Sequence, residues 1–218
     1  MLSRSEFTTG VSLLALCALT GLPQAALAQA TVSTTDLAEP SAIGDMALGS
    51  DKAPVTIIEY ASMTCSHCAH FAVTTFPKLK ERYIDTGKVR YIFREFPLDP
   101  LAAGASLLAR CADKDKYFSI VDLLFHTRDQ WAIQNPIEPL FNVVKQAGFT
   151  REAFNACLDT KNNENSRKIL AAIEAGRNRA SDKFKVQSTP TFFINGKRVA
   201  GAISIEEIEK EILPLLKA

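Results

Sequence analysis

The apolar positions of this chain change period several times, and each change marks an element. Val55 to Tyr60 is an almost unbroken β-branched and apolar run behind Pro54, which predicts a strand buried on both faces. From Ser66 to Thr86 the spacing becomes helical, with Ala72, Phe76, Leu79 and Tyr83 recurring at i, i+4, i+7 and i+11. Pro77 predicts a kink in that helix and Gly87 its end. Val89 to Phe96 alternates again, a second strand closed by Pro97 and Pro100, and Ala42 to Leu48 predicts a short edge strand.

From Asp99 to Asp182 the periodicity is helical throughout: Leu101 to Lys114, Tyr117 to Thr127, Glu138 to Ala147, Arg151 to Thr160, and a longer helix from Asn163 to Phe184. Strands then return. Pro190 to Ile194 and Lys197 to Gly201 flank Asn195-Gly196, a hairpin turn whose two residues tolerate positive φ. Ser204-Ile205-Glu206-Glu207 is a capping box opening a last helix, with Ile205, Ile208, Ile212 and Leu215 as its buried stripe. This order predicts an α/β fold whose sheet, from residues 42–98 and 183–218, is split by an all-helical insertion at 99–182.

The N-terminus follows different rules. Residues 1–28 read as a secretory signal: Arg4, the apolar core Val11 to Leu22, Pro23, then the small-x-small site Ala26-Leu27-Ala28, with cleavage expected near Ala28. Residues 29–41 are polar and aperiodic, which predicts a flexible lead-in. The signal predicts an exported protein. No apolar run elsewhere approaches the roughly twenty residues of a membrane span. The formal net charge of +1, from 25 basic and 24 acidic residues, argues against a nucleic-acid binder. Of five cysteines, Cys17 leaves with the signal and Cys65, Cys68, Cys111 and Cys157 remain in an oxidising compartment.

Cys65-Ser66-His67-Cys68 sits where the first strand gives way to the helix. Two intervening residues in a first helical turn bring two sulfurs within bonding distance. The first sulfur lies where unpaired N–H groups and the helix dipole favour an anion, so Cys65 is expected to ionise easily and Cys68, one turn deeper, to be less exposed. A zinc half-site would need a second ligand pair, covalent haem would need His rather than Ala69 after Cys68, and a structural bridge rarely occupies a first helical turn. Glu59 is a lone carboxylate in an apolar strand. It reads either as a proton acceptor and electrostatic tuner beneath Cys68 or as a strand-end acid reaching solvent or a lysine. His67 can favour the neighbouring thiolate; His70 and His126 read as surface or packing residues. Met63 is expected on an apolar surface beside the helix that contacts unfolded chains, with core packing as the alternative; Phe71 reads first as core packing and second as part of that surface.

Glu59, the Cys65-Ser66-His67-Cys68 motif, the helical insertion and Ser188-Thr189-Pro190-Thr191-Phe192-Phe193-Ile194-Asn195-Gly196 together resemble the DsbA family of periplasmic thiol:disulfide oxidoreductases, of the α-proteobacterial type. The resemblance covers about residues 43 to 216 and implies a thioredoxin fold with an inserted helical domain. It implies catalysis by Cys65 and Cys68 tuned by Ser66, His67 and Glu59. Substrate would bind through Thr189, a cis Pro190 and Met63, with the Thr189 hydroxyl reaching the Cys65 region. Ser66 stands where the best-known members often carry Pro. Thr189 stands where strong oxidases often carry Val and isomerase relatives Thr. The implied activity is disulfide introduction into exported proteins; the alternatives are an isomerase or reductase of the same fold, or a periplasmic metal-handling module. No cofactor beyond the Cys65–Cys68 disulfide and no metal is called for. The implied partners are unfolded or reduced exported polypeptides and a quinone-coupled membrane reoxidase of the DsbB type; a monomer is the default expectation, with nothing in the residues that reads oligomeric state. Cys111 and Cys157 both fall in the inserted helices and are expected to form a structural disulfide; a second redox pair or two free buried thiols are the other possibilities.

Overall fold

A mixed five-stranded sheet in the order β1-β3-β2-β4-β5 organises the computed structural model, which describes residues 32–217. The strands are β1 (Met46–Leu48), β2 (Val55–Ala61), β3 (Val89–Glu95), β4 (Thr191–Ile194) and β5 (Lys197–Ala200). β2 lies at the centre, parallel to β3 and antiparallel to β4, and this explains its continuous apolar run. The edge strand is shorter than the expected Ala42 to Leu48, and Asp45 just before it is held by the Arg94 side chain.

Side chains alternate across β2. Val55, Ile57 and Ala61 face one layer of helices, while Ile58 and Tyr60 face another. The first layer contains α2 (Ser66–Thr74), α3 (Phe76–Leu79), α4 (Pro100–Cys111), α5 (Tyr117–His126), α6 (Arg128–Trp131), α7 (Ile137–Val144), α8 (Arg151–Leu158) and α10 (Ile205–Leu215), each contributing buried apolar side chains to a single core. The second layer is α9 (Glu164–Phe184), whose Ala180 and Phe184 pack with Phe193 and Tyr60, together with α1 (Thr34–Ala38) near the N-terminus. Every regular element described between β3 and β4 is a helix. Cys111 and Cys157, on α4 and α8, form a disulfide within it, with Cα atoms 6.1 Å apart. Among the described residues no helix is long and apolar enough to cross a membrane. The predicted signal lies outside the described residues.

Several expectations are corrected. The part of the lead-in that is described is not flexible: α1 forms, Leu37 is only 2% exposed, and Arg94 donates to the Leu37 and Glu39 carbonyls and to Asp45. One apolar residue in a polar stretch and an arginine 49 positions beyond Asp45 make this strap, so no local period betrays it. At the hairpin, Asn195 and Gly196 have φ of 42° and 89°. A Cβ on Gly196 would come within 2.7 Å of the Val32 carbonyl, because the strap packs there. The expected helix from Ser66 to Thr86 kinks at Pro77 as predicted, with Thr75 still helical and its N–H on the Phe71 carbonyl, but its regular α-helical part ends at Leu79. Pro77 has no N–H for the preceding turn, and a π-turn follows over Lys80–Ile84. The last helix opens with the predicted capping box, but Leu215, in its final turn beyond Pro214, is exposed rather than part of the stripe.

Candidate active site

Cys65 is the N-cap residue of α2, in extended conformation, and makes no side-chain capping hydrogen bond as a thiol. When its sulfur is ionised, the backbone N–H groups of His67 and Cys68 stabilise the charge. The Cys68 thiol contributes most by donating toward it, and the Thr189 side chain adds to this against a burial penalty, so the Cys65 thiol is lowered to about 5. Cys68 lies in the core with no exposed surface. Burial first, then the hydrogen bond it gives Cys65 and the nearby Glu59 charge, hold its proton on well above the usual thiol range. The pair is therefore one ionisable nucleophile above one protonated donor.

Glu59 is 2% exposed at the centre of β2. Burial pushes its carboxyl up to about 8, opposed by a hydrogen bond from the Tyr91 hydroxyl and reinforced by Cys65. The reading as a strand-end acid reaching solvent or a lysine is thereby excluded. Phe71, Phe76, Tyr91, Phe93, Phe118 and Phe125 wall a cavity of about 30 Å³ against Glu59, with Asp122 at its margin. This is the size that one water requires.

Thr189-Pro190 is a cis peptide preceding β4. The Cys65 thiol donates to the Thr189 carbonyl at 3.3 Å. The Thr189 hydroxyl is buried and makes no hydrogen bond, while its side chain is among the groups that lower the Cys65 thiol.

Ser66 and His67 are exposed, and the backbone N–H of His67 is among the groups that lower the Cys65 thiol. Met63 is 0% exposed and packs in the core, so the expected substrate-contacting role fails for lack of surface; Phe71 is likewise buried, 4.7 Å from the Phe192 ring. His126 is exposed and pairs with Asp122 on its own helix, and His70 is exposed. Among the described residues no group of three His, Cys, Asp or Glu side chains is arranged to hold a metal ion. Sequence reading missed Tyr91 and the clamp on the loop before Cys65. Thr64 donates to Asp99 at 2.6 Å and its carbonyl accepts from Arg128 at 2.7 Å. Tyr91 was visible only as an alternating strand residue; Arg128 has no local signal at all.

The family described as thioredoxin matches residues 41–213. A candidate protein-disulfide oxidoreductase of Rickettsia prowazekii is 36% identical, over 77% of this chain and 60% of its own length. The chain thus spans about three fifths of that relative. Disulfide bond formation protein D of Bacillus subtilis is 28% identical over 82% of this chain and 80% of its own. The crystal structure of Wolbachia pipientis alpha-DsbA1 is similar with a TM-score of 0.75 at 33% identity, covering 85% of this chain and 96% of that one.

Proposed function

The chain belongs to the thioredoxin family, in its DsbA-like branch, and from that premise we propose that it is a protein thiol:disulfide oxidoreductase working as a dithiol oxidase. The observation that carries this reading is the cap position of the Cys65 sulfur, with the pKa of its thiol lowered to about 5. A stabilised thiolate stabilises the reduced enzyme, so the disulfide tends to take electrons from substrate. In general each unit of thiol pKa below ambient pH adds about 1.4 kcal/mol, or roughly 30 mV for a two-electron couple.

A substrate thiolate attacks the Cys65 sulfur of the oxidised enzyme. The Cys65–Cys68 bond breaks, and Cys68 leaves as a thiolate that takes up a proton. Buried Glu59 is placed to give that proton, since it holds one up to about pH 8. A second substrate thiolate then attacks the substrate sulfur of the mixed disulfide, releasing Cys65 as a thiolate. Two electrons pass from the substrate dithiol to the enzyme, and the substrate gains a disulfide. The Thr189 backbone beside Cys65 supports an extended substrate pose.

The substrates are exported, reduced or unfolded polypeptides, and the reduced enzyme is turned over by a quinone-coupled membrane reoxidase. The predicted signal supports an exported protein, and so does the Cys111–Cys157 disulfide, which persists in oxidising compartments. Thr189 keeps an isomerase reading alive. Stoichiometric oxidation of reduced ribonuclease, beside reactivation of scrambled ribonuclease, separates the two. Fast oxidation with slow reactivation supports the oxidase; the reverse supports the isomerase.

A further inference from the structure

Cys65 is reached by a hold that comes from outside the thioredoxin-like sheet. The peptide unit joining Thr64 to Cys65 is fixed at both ends: the Cys65 N–H donates to the Ser62 carbonyl at 3.1 Å, and the Thr64 carbonyl accepts from Arg128 Nε at 2.7 Å. Arg128 opens α6, within the helical insertion. Its guanidinium is mostly covered and also meets Asp129. The same insertion supplies Asp99, which accepts from the Thr64 hydroxyl at 2.6 Å while capping α4 through the Ala102 N–H at 2.8 Å. Ser62 completes the clamp, accepting from the Leu98 N–H at 3.3 Å.

The consequence follows from where Cys65 sits. An N-cap residue has its backbone outside the helical hydrogen-bond ladder, so the helix alone does not fix the direction of its side chain. The sulfur gains stabilisation from the His67 and Cys68 N–H groups only when that backbone is held in its extended conformation. A charged donor on the Thr64 carbonyl is the strong kind of hydrogen bond, and that carbonyl is bonded directly to the Cys65 nitrogen.

We propose that Arg128 is a positioning residue for the redox centre: through the Thr64 carbonyl, the helical insertion sets how well the Cys65 thiolate is stabilised. This rests on the thiol:disulfide reading above. The groups facing Cys65 itself are Cys68 from its own helix, Glu59 from β2 and Thr189 from the loop before β4. Arg128 and Asp99 act at the residue before it.

The test uses the mature protein with Arg128→Ala and Arg128→Lys, each checked for native near-ultraviolet circular dichroism. Two quantities are read: the pH midpoint of thiolate absorbance and the equilibrium with glutathione. Loss of one hydrogen bond predicts that Arg128→Ala raises the midpoint and shifts the glutathione equilibrium about three- to tenfold toward the enzyme disulfide. Arg128→Lys, which retains a charged donor, recovers at least half of the shift. The shift persists in about 1 M salt, where screening reaches roughly 3 Å. An Ala variant with unchanged midpoint and equilibrium overturns the inference. So does a shift abolished by salt, which would assign Arg128 to distant charge. A wild-type protein that does not equilibrate with glutathione would instead undo the underlying reading.

Discussion

The Tyr91 hydroxyl donates to the Glu59 carboxylate in the core behind the redox pair, and among the described residues no cation joins them. The acid therefore keeps its proton in the fold far beyond the pH at which it would lose it in water. In the unfolded chain it ionises near 4.5, and in the fold near 8. Between those values the folded state holds a proton that the unfolded state has released, so stability falls as pH rises through this window and levels off above it. In the oxidised enzyme Cys65 does not titrate and contributes nothing opposing, and without its charge the Glu59 midpoint lies below that of the reduced form while burial still keeps it raised. Urea unfolding of the disulfide form from about pH 5 to 9 is expected to lose a few kcal/mol, and Glu59→Gln to flatten the profile. The reduced form will show less loss, because the Cys65 thiolate adds stability as pH rises above about 5.

Tyr91→Phe removes the one hydrogen bond that favours the Glu59 charge. The midpoint of the stability loss is expected to move above 8, and alkaline stability to fall by about 1–3 kcal/mol, the cost of a buried group left unpaired. Unfolding of the variant at a series of pH values measures both; a midpoint that moves down would contradict the assignment.

Cys111 and Cys157 close a loop 46 residues long between α4 and α8. Replacing both with Ala is expected to lower stability by about 2–4 kcal/mol. The Cys65 thiolate midpoint should stay where it is, because neither cysteine is among the groups that set it. Chemical denaturation and thiolate absorbance on the same sample check the two halves of this prediction.

Arg94 holds the N-terminal strap with a buried guanidinium that meets Asp45, Tyr60 and two carbonyls. Arg94→Met leaves the Asp45 carboxylate covered and unpaired. The cost is expected to be about 3–5 kcal/mol, the usual penalty for breaking a buried pair. Limited proteolysis should then cut first between α1 and β1, before the rest of the fold opens.

The residues that made the site legible in sequence were those whose chemistry is local. The Cys65 and Cys68 spacing, the N-terminal helical turn and the Asn195-Gly196 hairpin are all read within a few positions. Lone Glu59 in an apolar strand was legible because burying an acid demands a reason. What escaped depends on contacts distant in sequence. Arg128 meets Thr64 across 64 positions and Arg94 meets Asp45 across 49, and no periodicity records either. Met63 misled for a related reason: one apolar residue in a loop looks the same whether it faces solvent or core, and here it is fully buried.

The reduction potential of the Cys65–Cys68 couple, taken from equilibrium with glutathione at neutral pH, tests the central claim most directly. A Cys65 thiolate stabilised at the α2 cap predicts a couple more oxidising than about −200 mV. A value near the roughly −270 mV of thioredoxin would contradict the assignment of this protein as a dithiol oxidase.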